Sequence, residues 1–281
     1  MTFKFMKREN GKNGFWWYIL CALFIISCVG CIVVFYRNLK NEYAFKQQQK
    51  MLMEQIDNDY INEKQQQEEQ DTEQEMMLKE YQNLYEQNND FIGWLYIEGT
   101  DINYPVMQTP EDENYYLYRD FEKKENKNGC LILDTDSVAG VGTSENEYKD
   151  GTKPSTNLII HGHTMKSGAM FGNLNYYKDK EYGLEHKKIC FDSLYEKREY
   201  ELIAVFYSQV YYESDDVFKY YKFFQAHTQE EFDDWYENIM KISLYDTEVS
   251  AEMGDEFITL SCCSYHVEDG RFVVVAKRIQ Y

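Results

Sequence analysis

The chain of 281 residues carries 29 Lys+Arg against 49 Asp+Glu, a formal net charge of -20, with a pI near 4.7. Phosphate backbones require a basic surface, so this balance argues against nucleic acid as a partner. Aromatic residues reach 17 %, with 26 Tyr and 17 Phe, which suits β-rich packing.

Residues 1–14 are a short N-terminal stretch containing Lys4, Lys7, Arg8 and Lys12. From Phe15 to Tyr36 there is no charge, and at 1.5 Å per residue the run reaches about 33 Å, enough to cross a hydrocarbon core of ~30 Å. Residues 15–36 therefore read as a transmembrane anchor in contact with a lipid bilayer. The run is longer than a signal-peptide h-region and lacks a small-x-small cleavage site. Ile25-Ile26-Ser27-Cys28 looks like a lipoprotein cleavage box, but further apolar residues follow Cys28. The flanking charges do not choose an orientation, because Arg37, Lys40, Lys46 and Lys50 balance the basic residues before the span.

Residues 37–89 are rich in Gln, Glu, Asn and Lys, and contain neither Gly nor Pro. That composition favours helix while offering little to bury, above all from Asn62 to Glu75. A helical stalk is expected, with Met77, Tyr81 and Leu84 forming an apolar stripe that docks on the domain to its C-terminal side. No heptad seam persists across the polar middle, which argues against a coiled coil.

The domain proper is expected over residues 90–281. Short β-type runs succeed one another at Phe91–Ile97, Ile102–Val106, Gly129–Asp134, Asn157–His161, Lys188–Phe191, Glu199–Val210, Asp255–Cys263 and Arg271–Ile279. Turn material such as Glu268-Asp269-Gly270 separates them. Met170–Tyr177 and Thr228–Leu244 read as helices, the second through the stripe Phe232, Trp235, Ile239 and Ile242. Eight strands, few helices and no βαβ rhythm predict a mainly β fold closed, or nearly closed, into a barrel with peripheral helices.

Chemistry concentrates in Asp255–Arg271. Alternation puts Ile258, Leu260 and Cys262 on one face and Thr259, Ser261 and Cys263 on the other. The first face suits a core and the second a cleft, so Cys263 is the candidate nucleophile. A thiol attacks as its thiolate, yet at a pKa of about 8.5 little is ionised near neutrality, so a cationic neighbour is required. Arg271 offers a permanent charge and a fork of donors to an oxyanion, and a histidine can exchange protons near pH 7. His161 and His163 share one parity and flank Gly162, so spacing alone does not choose between them. A Cys₂His₂ metal site fails because adjacent residues of a strand face opposite ways. Cys130 and Cys190 are the other cysteines beyond the apolar run, and nothing in the spacing suggests a disulfide scaffold.

These residues resemble the sortases, and among them class B. Thr259-Leu260-Ser261-Cys262-Cys263 is similar to the family's T-L-x-T-C strand end, with Arg271 at its arginine. Asn157–Met165, together with Met170-Phe171-Gly172-Asn173-Leu174, resembles its G-H segment and assigns the histidine role to His163. Ile92–Ile97, Asn103–Val106 and Tyr115-Tyr116-Leu117 look like the start of a class B domain, and the helix before the cysteine strand looks like that class's insertion. Cys262 departs from the usual Thr, and His161 from the usual aromatic or small residue.

The resemblance implies an eight-stranded sortase-type β-barrel acting as a membrane-anchored cysteine transpeptidase on the outer face of a Gram-positive cell. Such an enzyme cuts a C-terminal sorting signal after Thr, holds a thioacyl-enzyme at Cys263 and passes the protein to a peptidoglycan amine. Ser261, on the face of Cys263, would line the substrate groove, and the class needs no metal or other cofactor. Two competing readings are an inactive anchored scaffold and an L,D-transpeptidase-type enzyme. In the latter the cysteine lies beside its His-Gly pair, whereas here His161-Gly162-His163 is far from Cys263 in sequence.

Overall fold

Strand-forming runs rich in β-branched and aromatic residues close into a barrel in the computed structural model, which describes residues 13–65, 77–143 and 153–280. The strands are β1 (Phe91–Tyr96), β2 (Asn103–Met107), β3 (Leu131–Leu133), β4 (Asn157–Gly162), β5 (Lys188–Ser193), β6 (Lys197–Gln209), β7 (Phe257–Cys263) and β8 (Gly270–Arg278). Each coincides with one of the expected runs to within a few residues. Their order around the closed barrel is β1-β2-β3-β4-β7-β8-β6-β5. Two pairings, β2 with β3 and β4 with β7, are parallel, and the rest are antiparallel.

The parallel β4–β7 pairing, Asn157↔Phe257 through Gly162↔Cys262, is the one that positions the chemistry. It brings together two segments about a hundred residues apart, so the His-Gly-His segment ends beside the two cysteines. At its base the two strands share a buried bond: Thr259 Oγ1 donates to Asn157 Oδ1 at 2.8 Å, and Asn157 Nδ2 donates to the Phe223 carbonyl at 2.9 Å. Both side chains are fully enclosed, and pairing them offsets the cost of desolvating an amide and a hydroxyl.

Between β6 and β7 lies the helix Gln229–Ile242. It starts at a capping box in which the Thr228 hydroxyl accepts from the Glu231 N–H while the Glu231 side chain accepts from the Thr228 N–H. Its stripe packs Phe232, Trp235 and Ile239 against Phe257, Val273 and Val275 of the barrel, whereas Ile242 at the last turn stays exposed. The expected Met170–Tyr177 helix is a 3-10 segment, Gly172–Lys178, leading into a short α-helix, Lys180–Glu185.

The chain divides into two compact units, residues 1–53 and 54–281. A single helix, α1 (Asn13–Gln65), begins in the first. Its apolar part is long and apolar enough to cross a membrane, and its helix continues past Tyr36 because no Gly or Pro interrupts the polar run beyond. In the second unit, α2 (Lys79–Gln87) packs against β1 and buries Tyr81 and Leu84, two members of the expected stripe. The Tyr81 hydroxyl donates to Asp192 at 2.7 Å and buried Glu80 pairs with Lys197. The expected N-terminal stretch, except its last two residues, and most of the polar middle Asn62–Glu75 lie outside the described residues.

Candidate active site

Adjacent positions on a strand point to opposite faces, and the two vicinal cysteines obey that rule. Cys262 is 2 % exposed and turned into the barrel, where burial pushes its thiol up to about 12. Cys263, the last residue of β7, is exposed. Its cross-strand partner on β8 is Arg271, so both side chains project from the same face of the sheet as direct neighbours. The Arg271 guanidinium is held from below by the carbonyls of Asp269 and Gly270, at 3.2 and 3.1 Å.

The parallel register that pairs His161 with Ser261 and Gly162 with Cys262 carries His163 to the level of Cys263. Gly162 is required there: a Cβ on it would stand 2.6 Å from the side chains of Leu131 and Phe171. The two histidines then part company. His161 Nε2 lies 3.0 Å from Asp134 Oδ2. Burial raises the Asp134 carboxyl, but the His161 hydrogen bond, the Asp136 N–H and the charges of His161 and Lys222 outweigh it and hold the group below its usual range. His163 instead sets Nε2 2.7 Å from the Leu117 carbonyl and its ring at 5.4 Å from that of Tyr118. A carbonyl only accepts, so Nε2 carries the proton and Nδ1 is the nitrogen left to exchange one.

Cys263, His163 and Arg271 line one cleft of about 430 Å³, together with Leu117, Tyr118, Asp134, Val210 and Tyr220. Ser261 lies on its floor, 1 % exposed, with its hydroxyl 2.7 Å from that of Tyr220. The Tyr220 phenol is pushed up by burial, so this pair stays neutral. Leu117 closes the Tyr115-Tyr116-Leu117 run, while Tyr118, Asp134 and Tyr220 belong to no motif. The hydrogen bonds that tie Leu117, Asp134 and Tyr220 to the site join positions 27 to 46 residues apart in the chain, which only the closed barrel brings together. Among the described residues, no group of three or more His, Cys, Asp or Glu side chains is arranged to hold a metal.

A cleft joining an exposed thiol, an imidazole and a guanidinium at the open end of an eight-stranded barrel defines a class of cysteine acyl-transfer enzyme. The family profile described as Sortase domain matches residues 95–279, and the chain belongs to the sortase family of cysteine transpeptidases. Within that family it falls in class B. It is 31 % identical over 202 residues, 71 % of this chain and 74 % of the relative, to Sortase B of Listeria monocytogenes. Among solved structures, that of sortase B from B. anthracis in complex with AAEK1 superposes with a TM-score of 0.62 at 27 % identity, covering 84 % of this chain and 98 % of that one. A Staphylococcus aureus sortase B–substrate complex superposes with a TM-score of 0.60 at 25 % identity, covering 74 % and 88 %.

Proposed function

We propose that this chain is a membrane-anchored sortase that cleaves a C-terminal sorting signal after Thr and transfers the protein to a peptidoglycan amine, with Cys263, His163 and Arg271 as its catalytic residues. The observation that carries the reading is the register: Cys263 faces Arg271 across β7–β8 while the parallel β4–β7 ladder delivers His163 to the same cleft. The Cys263 thiolate attacks the scissile carbonyl, forming the C–S bond and placing negative charge on the carbonyl oxygen. Arg271 stands on the same face to receive that charge as a fixed, permanently ionised donor. As the tetrahedral centre collapses, the C–N bond breaks and the leaving amine takes a proton from His163 Nδ1, leaving a thioacyl-enzyme. An incoming amine attacks the thioester, gives its proton to the same nitrogen and releases Cys263 as thiolate.

The anchor is residues 15–36, with residues 37–89 as stalk, residues 90–281 as the catalytic domain and the short N-terminus in the cytoplasm. A protein held this way meets both its membrane-tethered substrates and the wall precursor on the outer face. Ser261 supports the groove from its floor, braced by Tyr220. The test offers full-length protein in detergent micelles a panel of C-terminal sorting peptides and looks for an acyl adduct by mass spectrometry. The adduct is expected on Cys263 and is expected to disappear on adding hydroxylamine or an oligoglycine amine. Absence of any adduct across the panel, or an adduct on Cys262, overturns the assignment.

A further inference from the structure

The ladder between β4 and β7 stops at Gly162↔Cys262, one residue short of the reacting pair, so something else must fix how far His163 stands from Cys263. The side chain of Thr164 spans that gap. Its hydroxyl donates to the Cys263 carbonyl at 2.6 Å, joining residues 99 positions apart.

The backbone bonds of the segment after Gly162 are local: Phe171 N–H donates to the His163 carbonyl at 3.0 Å, Gly168 N–H to Met165 at 3.0 Å, and Thr164 bridges Met170, while the His163 ring reaches away from β7 to the Leu117 carbonyl. Among the described residues, the Thr164 hydroxyl is the hydrogen bond that ties this segment to β7 beyond the end of the ladder. Thr164 does not line the cleft, so its effect must pass through the residues it holds.

We propose that Thr164 is a positioning residue, whose hydroxyl locks the backbone of the nucleophile to the segment bearing the imidazole and so sets the thiol–imidazole separation. This rests on the reading of Cys263 and His163 as the reacting pair. A thiolate is stabilised by a nearby imidazolium in proportion to their closeness, so loosening the lock alters thiol ionisation as well as turnover.

The test compares wild type, Thr164→Val and Thr164→Ser as full-length protein in detergent micelles. The first readout is the rate of Cys263 alkylation by iodoacetamide against pH, with fragment ions separating Cys263 from Cys262. Thr164→Val is expected to move the midpoint by about half a pH unit or more, and Thr164→Ser to restore it. The second readout is turnover of a sorting peptide, where Thr164→Val should lower kcat about tenfold with KM within about twofold, and Ser should recover most of the loss. An unchanged alkylation profile in the Val variant, equal impairment of the Ser variant, or a change in KM alone overturns the proposal. Alkylation needs no substrate. If wild type acylates with no peptide while the Val variant still shifts the alkylation profile, the sorting function fails and the positioning role stands.

Discussion

The lower and upper halves of the β4–β7 pair share one ladder and one register yet do different work. Below, Asn157–Ile160 and Phe257–Leu260 are all enclosed, none more than 1 % exposed, and their polar members bond to each other or to backbone. Above, His161, Gly162 and Cys263 emerge from the core while Ser261 and Cys262 stay beneath the surface. The strand changes from scaffold to site within two residues because the barrel ends there, not because its backbone changes. The enclosed lower half fixes the register on which the upper side chains stand, and the carbonyls of Leu117, Asp269 and Gly270 hold the His163 imidazole and the Arg271 guanidinium above it.

The sharpest way to break this contrast is at its last residue. Cys263→Ala is expected to abolish acyl transfer, a loss of at least about a thousandfold, with no loss of thermal stability because the side chain is exposed. Cys262→Ala should do the reverse: it keeps most of the activity and lowers stability by about 1 kcal/mol for the small cavity it leaves. Peptide turnover and thermal melts on the pair settle this, and an exchange of the two phenotypes would refute the facing of β7. Arg271→Lys comes next in size. It keeps the charge but loses the planar fork, so kcat/KM should drop by about a hundredfold while the fold is kept. Near-normal kcat/KM in that variant would remove Arg271 from the reaction.

Much of this architecture was legible in the sequence. All eight strands are marked by short β-type runs between turn residues, and the helix before β7 by its Phe232–Trp235–Ile239 stripe. The facing of Cys262 and Cys263 comes from alternation alone. Strand order did not: the parallel contact of β4 with β7 spans about a hundred residues of intervening chain, and local periodicity carries no record of distant pairings. For the same reason His161 and His163 were equivalent by parity. The barrel separates them by supplying Asp134 to one and the Leu117 carbonyl to the other. Ser261 shows the opposite limit, since alternation gives its face but not its depth, and Tyr220 closes over it.

A probe of the lower half tests whether scaffold and chemistry are separable. Thr259→Val leaves the Asn157 amide oxygen buried without its donor, which should cost about 1–3 kcal/mol of unfolding free energy. Chemical denaturation measures the loss, and kcat/KM of the folded fraction should stay within about twofold of wild type. A larger fall in turnover would mean that the base of the ladder controls the geometry of its top.

The smallest expected effect lies where the halves meet, at Asp134 and His161. The Asp134 pKa is lower in the folded state than in the unfolded one, so the unfolded chain binds the proton more readily as pH drops. The resulting stabilisation is fully present above the unfolded carboxyl pKa of about 3.9 and is lost as pH falls through the lower folded value. His161 is about one-third exposed, so solvent screens the pair and its share is below about 1 kcal/mol. Asp134→Asn should therefore flatten the acid limb of the stability curve slightly while leaving stability at pH 7 within that margin, as urea melts from about pH 3 to 7 would record. Because His163 is anchored through Leu117 rather than through this pair, the same substitution should leave the alkylation profile of Cys263 in place. A shift of that profile would show that the two histidines act as one unit and that the division between scaffold and site runs above Gly162 rather than below it.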